Sequence, residues 1–186
     1  MKVAVGVPYK TMVHGKFAFS LAQVVAYSTV RGIPVMLIDQ TTSIIEKGRH
    51  EIVEKALELE ATHVLFLDSD MVFPMDILER LLASGKEIIG CDYPKTTPPH
   101  GRTSRGRQRD GTVEDIGTGC LLVDLRVFRM IGTPYFKVEW DAGRGEFQGE
   151  DYNFCLRARL AGFQIYMDKK ASKEIVHLGL EGYTLK

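Results

Sequence analysis

Apolar residues along this chain come in short β-branched runs, separated by longer stretches in which they recur every three or four positions. The first run, KVAVGVP at 2–8, ends in proline, and the stretch from about Phe17 to Arg31 then has a helical pattern that Gly32 would terminate. The alternation repeats. PVMLID at 34–39 reads as a second buried strand, and Ile45, Ile52, Val53, Ala56 and Leu57 form one stripe of an amphipathic helix over about 44–60. HVLFLDSD at 63–70 is an apolar strand breaking into acid, Pro74 opens a helix through about Ala83, and EIIGC at 87–91 is a further strand. Three such repeats predict an α/β fold: a mainly parallel sheet with helices on both faces.

The texture changes after Asp92. A Pro-, Gly- and Arg-rich segment to about Gly111 reads as a long exposed loop. GTGCLLVDL at 117–125 is a strand behind a glycine turn, GEDYNFCLRARLAGF at 149–163 a helix stopped by Gly162, and QIYMD at 164–168 a final strand, before a polar tail that carries His177.

The 186 residues suit a single domain with a sizeable core. Lys plus Arg and Asp plus Glu both number 24, so there is no overall attraction to nucleic acid or anionic membrane, and any such partner must meet a local patch. One patch exists. Lys95, Arg102, Arg105, Arg107, Arg109 and His100 fall within 95–109 with no acid among them. Such a tract can be a plain solvated loop, a lid over a diphosphate, or a track for nucleic acid, including DNA with hydroxymethylated bases as acceptor. Cys91, Cys120 and Cys155 form no CxxC pair, which argues against a disulfide framework or zinc site and suits a reducing cytoplasm. No run of about 18 apolar residues is present, so no membrane span is expected, and MKVAVGVPYK is broken too early for a signal peptide.

In open α/β sheets ligands bind beyond the carboxyl ends of the strands, where Asp39 and Asp68-Ser69-Asp70 stand. Positions i and i+2 of an extended segment point the same way, so Asp68 and Asp70 can offer two carboxylates to one hard cation, leaving coordination sites for phosphate and water. The same acids could instead cap the helix that Pro74 opens.

HVLFLDSDMVFP, EIIGCDYP, Gly117-Thr118-Gly119, Glu150-Asp151 and His177 occur in the order found in GT-A glycosyltransferases of the family 2 kind, and the chain resembles that family over nearly its whole length. The resemblance implies one GT-A domain over 1–186, with a nucleotide-binding half (1–91) and an acceptor-binding half (92–186). It implies that Asp68 binds ribose or metal, that Asp70 is a direct ligand of Mn²⁺ or Mg²⁺, and that His177 closes the shell. Asp151 would be the general base toward a hydroxyl acceptor and Glu150 its support, unless Asp151 is an ordinary helix cap. Pro8 and Tyr9 would meet the base of a nucleotide-sugar, a UDP-sugar first, and Asp39 would accept from uracil or ribose. Ser69 lies between the two acids, Arg49 could pair with donor phosphates, and Gly117 and Gly119 would allow close approach of sugar or acceptor, or merely supply positive φ to a turn. The lone Trp140 lies outside any QxxRW motif, which argues for single transfers. Two other classes compete: a nucleotidyltransferase, whose glycine-rich basic loop VGVPYKTMVHGK matches poorly, and a non-catalytic nucleotide- or carbohydrate-binding module.

Overall fold

The computed structural model describes residues 1–96, 101–179 and 182–183, so His100 of the basic segment lies outside the described residues. In chain order the first half holds β1 (Val3–Tyr9), α1 (Gly15–Val30), β2 (Val35–Thr41), α2 (Ile45–Glu58), β3 (His63–Leu67), β4 (Met71–Val72), α3 (Ile77–Ala83) and β5 (Ile88–Gly90). The second half adds β6 (Thr112–Val113), β7 (Cys120–Asp124), α4 (Leu125–Ile131), β8 (Glu139–Asp141), β9 (Glu146–Gln148), α5 (Glu150–Leu160), β10 (Ile165–Met167), β11 (Val176–Leu178) and β12 (Gly182–Tyr183).

Seven strands form one sheet in the order β2-β1-β3-β7-β5-β10-β6. β2, β1, β3, β5 and β10 run one way, and β7 and β6 run against them, so the sheet is mainly parallel as the periodicity predicts. Because β3 is buried on both faces, its side chains divide by the strand period of two: Val64 and Phe66 join Ile52, Phe128 and Phe154 on one face, while Leu65 and Leu67 join Phe17, Ile77 and Leu81 on the other. Helices therefore cover both faces. On the first face α2 sits flush against β1, since a Cβ on Gly6 would lie 2.3 Å from Cγ2 of Ile52.

Several expectations change. PVMLID is not a buried strand: β2 is a sheet edge, and Leu37 is 55% exposed on it. The strand expected at 117–125 stops at Asp124, whose carboxylate accepts from the Arg126 N–H at 2.8 Å and starts the unforeseen α4. The hairpin β8–β9 was likewise not foreseen. α3 begins at Ile77 rather than at Pro74, with Asp76 in the capping position.

The segment 92–111 is, over its described residues, irregular and largely exposed as expected, but it is pinned down rather than open. Asp92 is fully buried, and its Oδ1 accepts from the N–H groups of Thr103 and Ser104 at 3.1 and 3.0 Å. Its Oδ2 takes Arg102 at 3.1 Å and Arg107 at 3.7 Å, while Asp115 takes Arg105 at 2.8 Å. The counter-charges flank the basic run in sequence, so its own composition could not reveal that it folds back onto the sheet.

The Gly6 contact yields a stability test. Gly6→Ala should lower the free energy of unfolding by about 1–3 kcal/mol, because the branched Ile52 cannot swing away from a strand it packs against. Urea denaturation measures this, and an unchanged midpoint would contradict the packing described.

Candidate active site

β3 ends at Leu67, paired with Cys120, and the Asp68 N–H donates to the Gly119 carbonyl at 3.0 Å. The chain then turns into β4, which pairs antiparallel with β11 so that His177 lies opposite Met71, and the Leu178 N–H donates to the Asp70 carbonyl at 2.7 Å. This short pairing delivers the histidine from the chain's far end: His177 Nε2 stands 3.4 Å from Asp70 Oδ2. On the other side of the ring, Nδ1 is 2.7 Å from the Pro94 carbonyl. A carbonyl only accepts, so Nδ1 carries a proton and donates it. Nε2 then faces a carboxylate, which calls for a second proton or a shared cation between them. Burial pushes the His177 pKa down, but the Asp70 carboxylate and the Pro94 carbonyl outweigh it and the net shift is upward.

Neither aspartate caps α3. Asp70 is half exposed and open to ligand. Asp68 accepts from Arg49 Nη2 at 2.9 Å, and Arg49 Nη1 is bound to Glu150 at the start of α5. Arg49 itself is only 4% exposed. Burial pulls its pKa down, yet the charges of Asp68 and Glu150 more than reverse this, so the guanidinium stays charged. Its Nε–H finds no partner among the described residues.

Asp151 is not a helix cap either, because Gly149 occupies that position and Asp151 Oδ1 accepts from the next residue's N–H, that of Tyr152, at 2.8 Å. Burial and the adjacent Glu150 charge raise its pKa from 3.8 to about 6, against the opposing pull of Arg49. Nearby, the Tyr152 hydroxyl donates to the Thr103 carbonyl at 3.3 Å, and its ring carries the Arg105 guanidinium at 3.8 Å.

Gly117 and Gly119 have a role that the motif alone did not disclose. Neither adopts positive φ, so the turn explanation fails. A Cβ on them would lie 2.5 and 2.6 Å from the Tyr93 hydroxyl oxygen, which accepts from the Gly119 N–H at 2.8 Å. The glycines thus admit Tyr93, whose ring stands edge-on to His177 at 5.3 Å. Sequence reasoning missed Tyr93, although it follows directly on the EIIGCD run.

A cavity of about 280 Å³ gathers Pro8, Tyr9, Arg49, Asp68, Ser69 and Asp70, and adds Lys10, Thr42 and Ser43 from the β1 and β2 ends. Gly48 lets α2 approach it, since a Cβ there would meet Thr42 Cγ2 at 2.4 Å. Asp39 does not line this cavity. It accepts from the Tyr9 hydroxyl at 3.1 Å and borders a larger groove of about 730 Å³ between α1 and β2, which is apolar apart from Tyr9, Thr11 and Asp39. Among the described residues no three His, Cys, Asp or Glu side chains converge as a ready-made metal cage. Asp70 and His177 would be the protein's share of a cation whose remaining ligands are phosphate and water.

No protein-family model and no curated protein matches the chain. Solved structures do. A197 from STIV matches with a TM-score of 0.64 at 18% identity over 96% of this chain and 86% of that one. A Drosophila β1,4-galactosyltransferase 7 in complex with manganese, UDP-Gal and xylobiose gives 0.63 at 16% identity over 100% and 75%. The 4-diphosphocytidyl-2C-methyl-D-erythritol synthase from Anaerococcus prevotii gives 0.52 at 10% identity over 90% and 86%. The fold is GT-A-like, a scaffold shared by enzymes that transfer sugars and enzymes that transfer nucleotidyl groups. No helix among the described residues is long and apolar enough to cross a membrane.

The raised pKa of Asp151 makes its own test. A carboxyl that holds protons more tightly when folded destabilises the fold once ionised, a penalty absent near pH 4 and complete above about pH 6. Asp151→Asn should therefore be more stable than the parent at pH 8, by on the order of 1–3 kcal/mol, and nearly equal to it at pH 4. Thermal unfolding at both pH values checks this; a difference independent of pH would remove the assigned shift.

Proposed function

We propose that the chain is a metal-dependent glycosyltransferase, moving a sugar from a nucleotide-sugar donor, a UDP-sugar first, to the hydroxyl of an acceptor. The observation that carries this reading is the Asp70–His177 pair, two groups held face to face at 3.4 Å with the histidine's other nitrogen committed to Pro94. That arrangement fits Mn²⁺ or Mg²⁺, with the imidazole favouring Mn²⁺. When bound there, the cation supplies positive charge against the donor's diphosphate.

The chain's own groups do the rest. Asp70 and His177 would hold the cation, and the Asp68 carboxylate oxygen not taken by Arg49 would accept from a ribose hydroxyl. Arg49, which lines the cavity beside these acids, lends positive charge toward the donor phosphates. Pro8 and Tyr9 flank the base, Asp39 reaches it only through the Tyr9 hydroxyl it holds, and Ser69 lines the cavity between the two acids. Gly117 and Gly119 present backbone, packed on Tyr93, to the sugar or acceptor. Asp151 removes the proton from the acceptor hydroxyl while its oxygen forms a bond to the anomeric carbon. The bond to the diphosphate breaks with its electron pair, and the diphosphate leaves. A base with a pKa of about 6 is largely ionised at neutral pH and is stronger than an ordinary aspartate. Glu150, tied to Arg49, supports it. Single displacement of this kind inverts the anomeric centre. The three cysteines, buried and free, suit a reducing cytoplasm.

Calorimetry with UDP should give binding that requires Mn²⁺, and Asp70→Ala should abolish it while the thermal transition persists. Metal-independent binding, or binding that survives the substitution, would overturn the metal site. With UDP-sugars and a panel of hydroxyl acceptors, DNA with hydroxymethylated bases included, Asp151→Asn should keep donor affinity and lower kcat by about 10²–10⁴-fold. In the parent, kcat/KM should rise with pH through about 6. Pyrophosphate release from a nucleoside triphosphate would instead identify a nucleotidyltransferase, and binding without turnover a non-catalytic module.

A further inference from the structure

The basic segment builds a third cavity. A cleft of about 500 Å³, within the ~300–1,000 Å³ usual for small-ligand sites, lies between residues 102–109 and the turn after β10. Arg102, Arg107, Arg109, Lys169 and Lys173 line it, with Met167 as its apolar wall. Five cations around one cleft repel one another unless anions answer them.

Three acids lie close by, and each is committed to the protein's own groups. Asp92, fully buried, holds two backbone N–H groups together with Arg102 and Arg107. Asp110 caps the Thr112 N–H and hydroxyl at 2.9 and 2.8 Å. Asp168 Oδ1 accepts from the N–H groups of Lys170 and Ala171, both at 2.9 Å. The cleft is thus lined by five cationic side chains and by no acid, on a chain whose formal net charge is zero. Arg109 and Lys173 make no ion pair among the described residues, and Lys169 Nζ donates only to the Arg109 carbonyl at 2.9 Å, which fixes one amine at the rim. Arg102 and Arg107 are oriented by one buried carboxylate, so part of the ordering cost of binding is already met.

We propose that this cleft binds the phosphate monoester of a phosphorylated acceptor, such as a sugar phosphate. A monoester carries about −1.5 to −2 at neutral pH, opposite in sign to the cleft's lining, and its three oxygens suit guanidinium and ammonium donors together. The cleft adjoins the proposed active site through one stretch of backbone. Residues 92–94 turn the Asp92 side chain toward the cleft arginines and the Pro94 carbonyl toward His177, and Pro94 bridges Arg102. Its assignment to an acceptor rests on the glycosyltransferase reading; the phosphate site itself does not.

Inorganic phosphate, ribose 5-phosphate and ribose titrated into the full chain in EDTA, followed by amide chemical shifts, decide the matter. Both phosphates should saturate and ribose should not. Arg109→Gln/Lys173→Gln, which breaks no ion pair among the described residues, should weaken the phosphates tenfold or more, whereas Asp70→Asn should leave them unchanged. Failure to saturate, equal affinity in the double variant, or an equal loss in Asp70→Asn would overturn the cleft. Steeply salt-dependent binding of a DNA oligonucleotide without saturation by ribose 5-phosphate would overturn the small-ligand assignment in favour of nucleic acid. Saturation by phosphate in a protein that binds no UDP with Mn²⁺ would uphold the cleft and remove the donor reading.

Discussion

A single buried cation organises this molecule. Arg49 rises from α2 between Asp68, where β3 ends, and Glu150, where α5 begins, and so ties a strand end from the first half of the chain to a helix start from the second. A charge removed from water is tolerable only when paired, and breaking such a pair leaves a buried ion costing about 3–5 kcal/mol. The arrangement therefore specifies position more than it adds stability. It also divides labour between adjacent acids. Glu150 is neutralised by Arg49, while Asp151, one residue on, is left with burial and its neighbour's charge and becomes a stronger base.

The second constraint is the short ladder between β4 and β11. Two paired positions suffice to bring His177 against Asp70, because β4 begins at the residue after the aspartate. The ring's orientation is then fixed from behind by the Pro94 carbonyl and from the side by Tyr93. Gly117 and Gly119 belong to the same assembly, as their missing side chains make room for the tyrosine hydroxyl. The Asp70–His177 pair, Tyr93 and the two glycines form one packed unit, although their residues are scattered along most of the chain.

Much of this was legible in the sequence where the signal is local. The periodicity of 2–91 gives the strand–helix alternation, and the break from LFL into Asp68 marks the strand end where the site lies. What escaped depends on distant partners. No pattern in GTGCLLVDL says that the strand runs antiparallel, and PVMLID is apolar enough to be central although it stands at an edge. The basic segment read as solvated because its counter-charges, Asp92 and Asp115, lie just outside it and meet it only in the fold. That Arg49 is buried could not be read locally, since burial of a cation shows only when its two acids converge.

The placing of β7 also bears on how the chain must be made. β3 and β5 are separated by little more than one helix, yet they are not neighbours: residues 120–124 fill the gap between them. During synthesis, β5 has no hydrogen-bonded partner until the ribosome has delivered about thirty further residues, and β3 has one open edge for the same interval. The amino-terminal portion cannot complete its sheet by itself. The nascent protein must wait, exposed, for a strand encoded far downstream, which makes residues 120–124 the piece that joins β5 to the strands made before it.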